Sequence, residues 1–200
     1  MSTSTPTQSG ASFRSLLSIP PSTPTPKDSV LVIVDAQNEY DHGLLAISDV
    51  QKSRAAIGNV LQKYRDAGGD VVHVLHDTPE GAPLFTKGTG LEEEFGELRG
   101  VEGGREKVIH KVHPSAFNGT GLIDHLEKLG KKKVVLAGYM AHVCISNTSR
   151  AGAELGYDVS VVRDAIGDRD IPGASAKQLV DTVIAELGDV SATIIDSKDL

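Results

Sequence analysis

The sequence predicts an α/β protein of three layers, in which helices cover both faces of a six-stranded, mainly parallel, Rossmann-like sheet. Short runs rich in Val and Ile recur along the chain, and segments with apolar residues at helical spacing separate them. Glycine follows several of these helical segments, where a helix commonly ends. Strand and helix in alternation are typical of right-handed βαβ crossovers, which place successive strands parallel in one sheet.

The first predicted strand, residues 29–36, reads SVLVIVDA and is apolar on both faces, as expected of a strand with helices on either side. The five later strands are predicted at residues 70–76, 107–111, 132–138, 158–165 and 191–196. The helices between them are predicted at residues 48–69, 121–130, 143–157 and 174–188. A Gly-rich and acidic stretch, residues 78–105, predicts a long loop with one short helix near residues 91–98.

The first 26 residues differ in composition from the rest of the chain. Ser, Thr and Pro dominate them, so we expect residues 1–26 to form a flexible tail, with a short docked stretch at residues 13–19. Two hundred residues with 39% hydrophobic content suit a single core, and residues 27–200 are therefore predicted to form one domain.

Composition and charge exclude several classes of function. A formal net charge of −7 argues against non-specific nucleic-acid binding, and no apolar run is long enough to cross a bilayer. Cys144 is the only cysteine, so no internal disulfide can form, and the N-terminus lacks the long apolar segment of a secretory signal. We therefore expect a cytoplasmic protein with a small-molecule partner and neither a nucleic-acid nor a membrane partner.

Three reactive side chains are expected at one edge of the sheet. In parallel sheets ligands bind beyond the carboxyl ends of the strands. Asp35 ends the first strand, Lys111 ends the third, and Cys144 lies just beyond the fourth. A carboxylate near a thiol can act as general base and then general acid, while a lysine stabilises the thiolate. We also expect Cys144 at the first turn of its helix, where the helix dipole favours the thiolate.

The segments around these residues resemble those of the isochorismatase-like cysteine hydrolases, which include nicotinamidases and N-carbamoylsarcosine amidase. The matching pieces are LVIVDAQNEY, VIHKVHPSAFNGTGL and VVLAGYMAHVCISNTSRAGAELGYDVSVVRDA. The resemblance implies a catalytic triad of Asp35, Lys111 and Cys144. It also implies a cis peptide before Met140, an oxyanion hole made by the N–H groups of Met140 and Cys144, and a homo-oligomer.

The sequence also departs from that family pattern. Ala141 stands where many relatives carry Thr, and the segment HDTPEGAPLF lacks the Asp-x-His spacing that binds a metal in nicotinamidases. We therefore expect no metal and no cofactor. Five residues near the triad are candidates for lining the substrate pocket, with packing or a plain polar contact as the alternative: Gln37, His76, Phe117, Tyr139 and His142.

Three functions remain open at this point. The first is hydrolysis of an amide C–N bond in a small metabolite, through a thioester on Cys144. The second is hydrolysis of isochorismate, a vinyl ether, with Asp35 as the acid and Cys144 as a bystander. The third is a non-catalytic binding or effector role on the same scaffold. For each side chain a structural reading also exists: Cys144 as an inert buried thiol, Asp35 as a turn carboxylate, and Lys111 as a solvated strand end.

Overall fold

The computed structural model describes residues 10–101 and 104–200. Its sheet has six parallel strands: β1 (Ser29–Val34), β2 (Asp70–His76), β3 (Glu106–Lys111), β4 (Lys133–Gly138), β5 (Asp158–Ile166) and β6 (Thr193–Ile195). Its α-helices are α1 (Phe13–Leu16), α2 (Glu39–His42), α3 (Val50–Ala67), α4 (Leu122–Leu129), α5 (Ser146–Glu154) and α6 (Ala176–Val190). A π-helical turn, Ala141–Ile145, precedes α5, and a 3₁₀ turn, Ser197–Asp199, ends the chain.

Alternating side chains of β1 supply both halves of the core. All six residues of this strand are buried, as the predicted two-sided burial requires. Val30, Val32 and Val34 face a cluster that includes residues of α4 and α6, and Leu31 and Ile33 face a cluster built largely on α3. Each buried aliphatic side chain of this kind contributes about 1.5–3 kcal/mol to burial free energy. The predicted three-layer fold is therefore confirmed.

The order of strands across the sheet, β3-β2-β1-β4-β5-β6, locates the ligand-binding edge. The chain fills one side of β1 first and then crosses to the other side with β4, so the order reverses between these two strands. In open parallel sheets the crevice beyond the carboxyl ends at such a reversal is where ligands bind. Val34 and Gly138 are partners at the ends of these two strands, and His76 and Lys111 are partners at the ends of β2 and β3.

One predicted element is absent, and one helix is divided. Residues 91–98 form turns and an isolated bridge instead of the predicted short helix. Phe95 and Leu98 are fully buried, so the apolar residues of this loop pack into the core instead of forming one face of a helix. The predicted helix over residues 143–157 begins as the π-helical turn and becomes α-helical only at Ser146.

Part of the predicted tail is attached to the domain. The helix α1 packs against α6, and the Phe13 N–H donates to Asp189. Ser22 donates to the Asp158 carboxylate across 2.6 Å. The start of the predicted tail, residues 1–9, lies outside the described residues. No helix in the described ranges combines the length and apolar character needed to span a bilayer.

Candidate active site

Asp35 follows directly on β1 in an unusual backbone conformation. Its φ of +51° lies in the left-handed region, which costs a residue other than glycine about 1–3 kcal/mol. The turn is fixed at both sides, because the Asp35 N–H donates to the Val74 carbonyl and its own carbonyl accepts from the Gln37 N–H, each across 2.8 Å. Such strain is tolerated where the surrounding structure holds a side chain in place, and the Asp35 side chain is completely buried.

The turn after β4 requires glycine. Gly138 has a φ of +116°, and a Cβ atom there would lie 2.0 Å from the Val34 carbonyl oxygen. The Tyr139–Met140 peptide bond that follows is cis, as the family resemblance implied. The chain then enters the π-helical turn that contains Cys144. The expectation that Cys144 would occupy the first turn of an α-helix is thus corrected, because α5 starts two residues after it.

Lys111 joins the three reactive groups at the carboxyl edge of the sheet. Its Nζ lies 2.7 Å from Asp35 Oδ2 and donates to Cys144 Sγ across 3.3 Å. It also lies 3.1 Å from Nδ1 of His76. The Lys111 and Asp35 side chains are inaccessible to solvent, and Cys144 is 5% exposed. The structure therefore brings the predicted acid, cation and thiol together in one buried cluster.

Burial dominates the electrostatics of this cluster. It raises the pKa of Asp35, while the Lys111 charge and the Cys144 thiol act in the opposite direction. No backbone N–H or hydroxyl of the described residues donates to this carboxylate. Burial, followed by the charge of Asp35, raises the pKa of the Cys144 thiol to about 12, although Lys111 lowers it. Burial and the Asp35 charge thus act against the thiolate that the lysine and the helix terminus were expected to favour, and the carboxyl beside it also has a raised pKa.

His76 and Gln37 form the wall next to Lys111. Gln37 brackets the backbone of His76, accepting from its N–H across 2.8 Å and donating to its carbonyl across 3.1 Å. The His76 ring lies with its centroid 5.2 Å from that of Phe85. Burial and then the Lys111 charge lower the pKa of His76 to about 4, so its imidazole is neutral near pH 7.

Two predicted pocket residues, Tyr139 and Phe117, have contacts within the core. The Tyr139 hydroxyl is hydrogen-bonded to Ser53 of α3 at 2.8 Å, and its side chain is fully buried on the α3 side of the sheet. The Phe117 ring stacks on Tyr157 and closes against Gly152. Gly152 lies eight residues beyond Cys144, which places Phe117 about two helical turns from the thiol.

His142 is held by a carboxylate that received no role in the sequence analysis. Asp168 is buried, and its Oδ2 accepts from the His142 N–H across 2.9 Å and lies 2.7 Å from its Nδ1. The other oxygen of Asp168 accepts from the Arg169 N–H. Asp168 therefore fixes the entry to the π-helical turn. In the sequence, the position of Asp168 just after the buried strand β5 was the feature that could have indicated this role.

The segment after Asp35 contributes two more residues that the sequence analysis missed. Glu39 is completely buried, and its carboxylate accepts from the N–H groups of Leu45 and Phe85, which ties two loops to this edge. The Tyr40 ring packs on Phe85, and burial, followed by the charge of Asp35, raises the pKa of its hydroxyl well above the usual value. In the sequence, the position of Glu39 and Tyr40 shortly after Asp35 was the feature that could have indicated a place near the site.

The neighbourhood of the triad limits what it can bind. Within residues 10–101 and 104–200, no three His, Cys, Asp or Glu side chains are grouped as a metal site. A surface cavity of about 570 Å³ includes Asp168 in its lining but none of the three triad residues. Because Cys144 is nearly enclosed, little space next to its side chain is open to solvent.

Comparison with known proteins identifies the family. The model described as the Isochorismatase domain matches residues 29–199. Over 190 residues the chain is 56% identical to the Secreted isochorismatase effector Isc1 of Verticillium dahliae, covering 95% of this chain and 99% of the relative.

Solved structures agree with this assignment. An isochorismatase from Pseudomonas putida KT2440 superimposes with a TM-score of 0.89 at 28% identity, covering 96% of this chain and 99% of its own. N-carbamoylsarcosine amidase from Thermoplasma acidophilum gives a TM-score of 0.73 at 29% identity, covering 86% and 98%. The likeness therefore extends over nearly the whole described fold, and the resemblance drawn from the three motifs is confirmed. The chain belongs to the isochorismatase family of hydrolases.

Proposed function

We propose that this hydrolase cleaves the amide C–N bond of a small metabolite through a thioester on Cys144. The position of Lys111 carries the proposal, because its Nζ lies within 2.7 Å of the Asp35 carboxylate and 3.3 Å of the Cys144 sulfur. A buried acid, cation and thiol at one point are the groups that acyl transfer requires. The similarity to N-carbamoylsarcosine amidase supports an amide substrate.

The steps follow from the protonation states of the buried cluster. Asp35 takes the thiol proton, and Lys111 stabilises the resulting thiolate while it attacks the carbonyl carbon. When the tetrahedral intermediate collapses, the C–N bond breaks and Asp35 returns the proton to the departing nitrogen. Water then attacks the thioester, Asp35 receives one of its protons, and the thiol is restored as the carboxylic acid leaves. The net reaction consumes one water and yields an acid and an amine or ammonia.

The oxyanion of that intermediate needs hydrogen-bond donors. The Met140 N–H has no acceptor among the described residues, whereas the neighbouring Ala141 N–H already donates to Gly167. We assign the oxyanion hole to the N–H groups of Met140, which lies just before the π-helical turn, and of Cys144, which lies within it. Loss of one such donor in an acyl-transfer enzyme typically lowers kcat by about 10²–10³-fold.

Isochorismate hydrolysis is the second candidate, and the 56% identity to the Verticillium dahliae effector favours it. In that reaction an acid protonates a carbon of the vinyl ether, and water adds to the cation formed. Asp35 is the acid for this step, since burial raises its pKa and thereby favours the protonated form. Cys144 then forms no bond to the substrate.

Substitution of the two residues separates these reactions. The purified protein is assayed with a panel of small amides and with isochorismate, alongside Asp35→Ala, Cys144→Ala and, as a control, Asp66→Asn on the exposed face of α3. Amide hydrolysis lost in both Ala variants supports the thioester mechanism. Isochorismate turnover lost only in Asp35→Ala supports the second candidate. Absence of all turnover in the wild-type protein supports the non-catalytic effector role.

Compartment and assembly are separate proposals. We keep the cytoplasm and a homo-oligomer as the expectations, and the word "secreted" in the name of the Verticillium dahliae relative supplies the competing prediction for the compartment. Detection of the protein in culture filtrate free of cytosolic markers would contradict the first. A solution mass equal to one chain by light scattering would contradict the second.

A further inference from the structure

Lys111 has a third neighbour that the proposed mechanism leaves unused. His76 lies opposite it in the register of β2 and β3, and its Nδ1 is 3.1 Å from the ammonium. The same ammonium contacts Asp35 and Cys144. His76 is therefore part of the buried cluster without being one of the groups that exchange protons in the reaction.

The ammonium determines which nitrogen of His76 carries the proton. An ammonium group can only donate hydrogen bonds, so Nδ1 must accept with its lone pair. The imidazole is neutral near pH 7, and its one proton is therefore on Nε2. This leaves Nε2–H as a fixed donor across the whole range above about pH 5.

The surroundings hold this donor in place but do not use it. Gln37 bonds to both backbone groups of His76, and the ring contacts Phe85. Among the described residues no acceptor pairs with Nε2, and the ring remains partly accessible to solvent. The ring reaches the thiol only through Lys111, which contacts both His76 Nδ1 and Cys144 Sγ. A rigid, partly exposed donor at this distance from the thiol is suited to bind a remote part of the ligand that the thiol attacks.

We propose that the Nε2–H of His76 binds a carboxylate or carbonyl oxygen of the substrate, carried next to the scissile amide. This inference rests on the proposed function and names its substrate class: small amides with an acceptor oxygen beside the bond that breaks. His76 is a positioning residue that selects such substrates. Because it neither gives nor takes a proton, its loss should appear mainly in KM.

The test uses two amides of one shape. Maleamate carries a carboxylate cis to its amide, and (Z)-but-2-enamide carries a methyl group there. In His76→Asn the side-chain oxygen still accepts from Lys111 while the outer donor is lost, whereas His76→Gln restores a donor near the position of Nε2. His110→Asn, on the exposed face of β3, is the matched control.

We expect His76→Asn to raise the KM for maleamate about tenfold relative to the KM for the methyl analogue, with the change falling on KM more than on kcat. His76→Gln should recover most of the loss, and His110→Asn should behave as the wild type. Equal effects on both amides, or no effect on maleamate, would overturn the assignment of His76 while leaving the hydrolase proposal intact.

Alkylation of Cys144 tests His76 without any turnover, and it decides the matter if neither amide is hydrolysed. Iodoacetate carries a carboxylate and iodoethane does not. We expect His76→Asn to slow alkylation by iodoacetate about tenfold and to leave iodoethane unchanged, as measured by intact-protein mass spectrometry. Equal slowing of both reagents, or no slowing of either, rejects the role of His76 in oxygen binding.

Discussion

The Lys111 ammonium stands 3.3 Å from the Cys144 sulfur, yet burial and the charge of Asp35 raise the pKa of that thiol to about 12. Burial and the Asp35 charge therefore outweigh the effect of the cation on the thiol pKa. A thiol without a lowered pKa depends on an adjacent base for its activation, and Asp35 is the base within this cluster. This arrangement leads to specific expectations for reactivity.

The first prediction concerns alkylation of Cys144. Iodoacetamide should react slowly at pH 7, and the rate should keep rising beyond pH 10, because the reactive thiolate is scarce below a pKa of about 12. Asp35→Asn should accelerate alkylation at neutral pH, since it removes a charge that raises the thiol pKa, even though it abolishes turnover. Mass spectrometry of the intact protein gives the rates.

Asp66→Asn serves as the control for that experiment, because it also removes one carboxylate but does so on the exposed face of α3. Rapid alkylation of the wild type at pH 7, with a plateau near neutral pH, would show a thiolate and contradict the burial argument. Slower alkylation of Asp35→Asn than of the wild type would show that the Asp35 charge does not disfavour the thiolate.

The second prediction concerns stability at acid pH. Burial and Lys111 lower the pKa of His76 to about 4, so the unfolded chain binds a proton that the folded protein does not between about pH 4 and 6.5. The free energy of unfolding should therefore fall as the pH drops through this window. With allowance for the partial exposure of the ring, this residue should account for about 1–2 kcal/mol of the fall.

Urea unfolding of the wild type and of His76→Gln at pH 4.5, 5.5 and 7 measures this contribution. The variant should show a smaller loss of stability between pH 7 and 4.5, while His110→Asn should follow the wild type because its side chain is exposed. Identical pH slopes for the wild type and His76→Gln would mean that His76 titrates alike in the folded and unfolded chains.

The third prediction concerns the turn that leads to Cys144. Gly138→Ala places a Cβ 2.0 Å from the Val34 carbonyl oxygen at a φ of +116°, and should cost about 3 kcal/mol or more or prevent folding. Gly156→Ala is the matched control, because its φ is +81° and its Cβ would meet no atom within 4 Å. That change should cost only about 1 kcal/mol. Similar unfolding midpoints for the two variants would contradict the proposed close approach.

Particular residues show how far the sequence leads and where it stops. Periodicity located β2 at residues 70–76, as observed, because a buried strand between a helix stop and a Gly-rich loop has few alternatives. Because the carboxyl ends of parallel strands lie at one edge of the sheet, Asp35 and Lys111 could be predicted to lie close together. Residues 91–98 were misread because Phe95 and Leu98 repeat at helical spacing for a reason of tertiary packing.

Side-chain environment was the harder part to predict. The charge state of Cys144 depends on how completely water is excluded from the folded site. The residues next to Cys144 in the sequence do not determine this. The placement of Phe117 against Tyr157 likewise depends on how the segment after β3 packs on α5. Asp168 received no predicted role because its partner, His142, is 26 residues away in the sequence. The two residues come together because β4 and β5, which precede them, are neighbours in the sheet.

The last prediction concerns that carboxylate. Asp168→Ala removes the acceptor of the backbone N–H groups of His142 and Arg169, so two partly buried donors lose their partner and stability should fall by about 1–3 kcal/mol. His142→Ala keeps the hydrogen bond from the residue 142 backbone N–H to Asp168 and should cost less.

Because Asp168 fixes the entry of the π-helical turn, Asp168→Ala should lower kcat more than His142→Ala does. Unfolding midpoints and initial rates on the best substrate of the panel measure both. His142→Ala could instead lower kcat as much as Asp168→Ala while remaining fully stable. That result would show that the imidazole acts on the substrate and would contradict the anchoring role of Asp168.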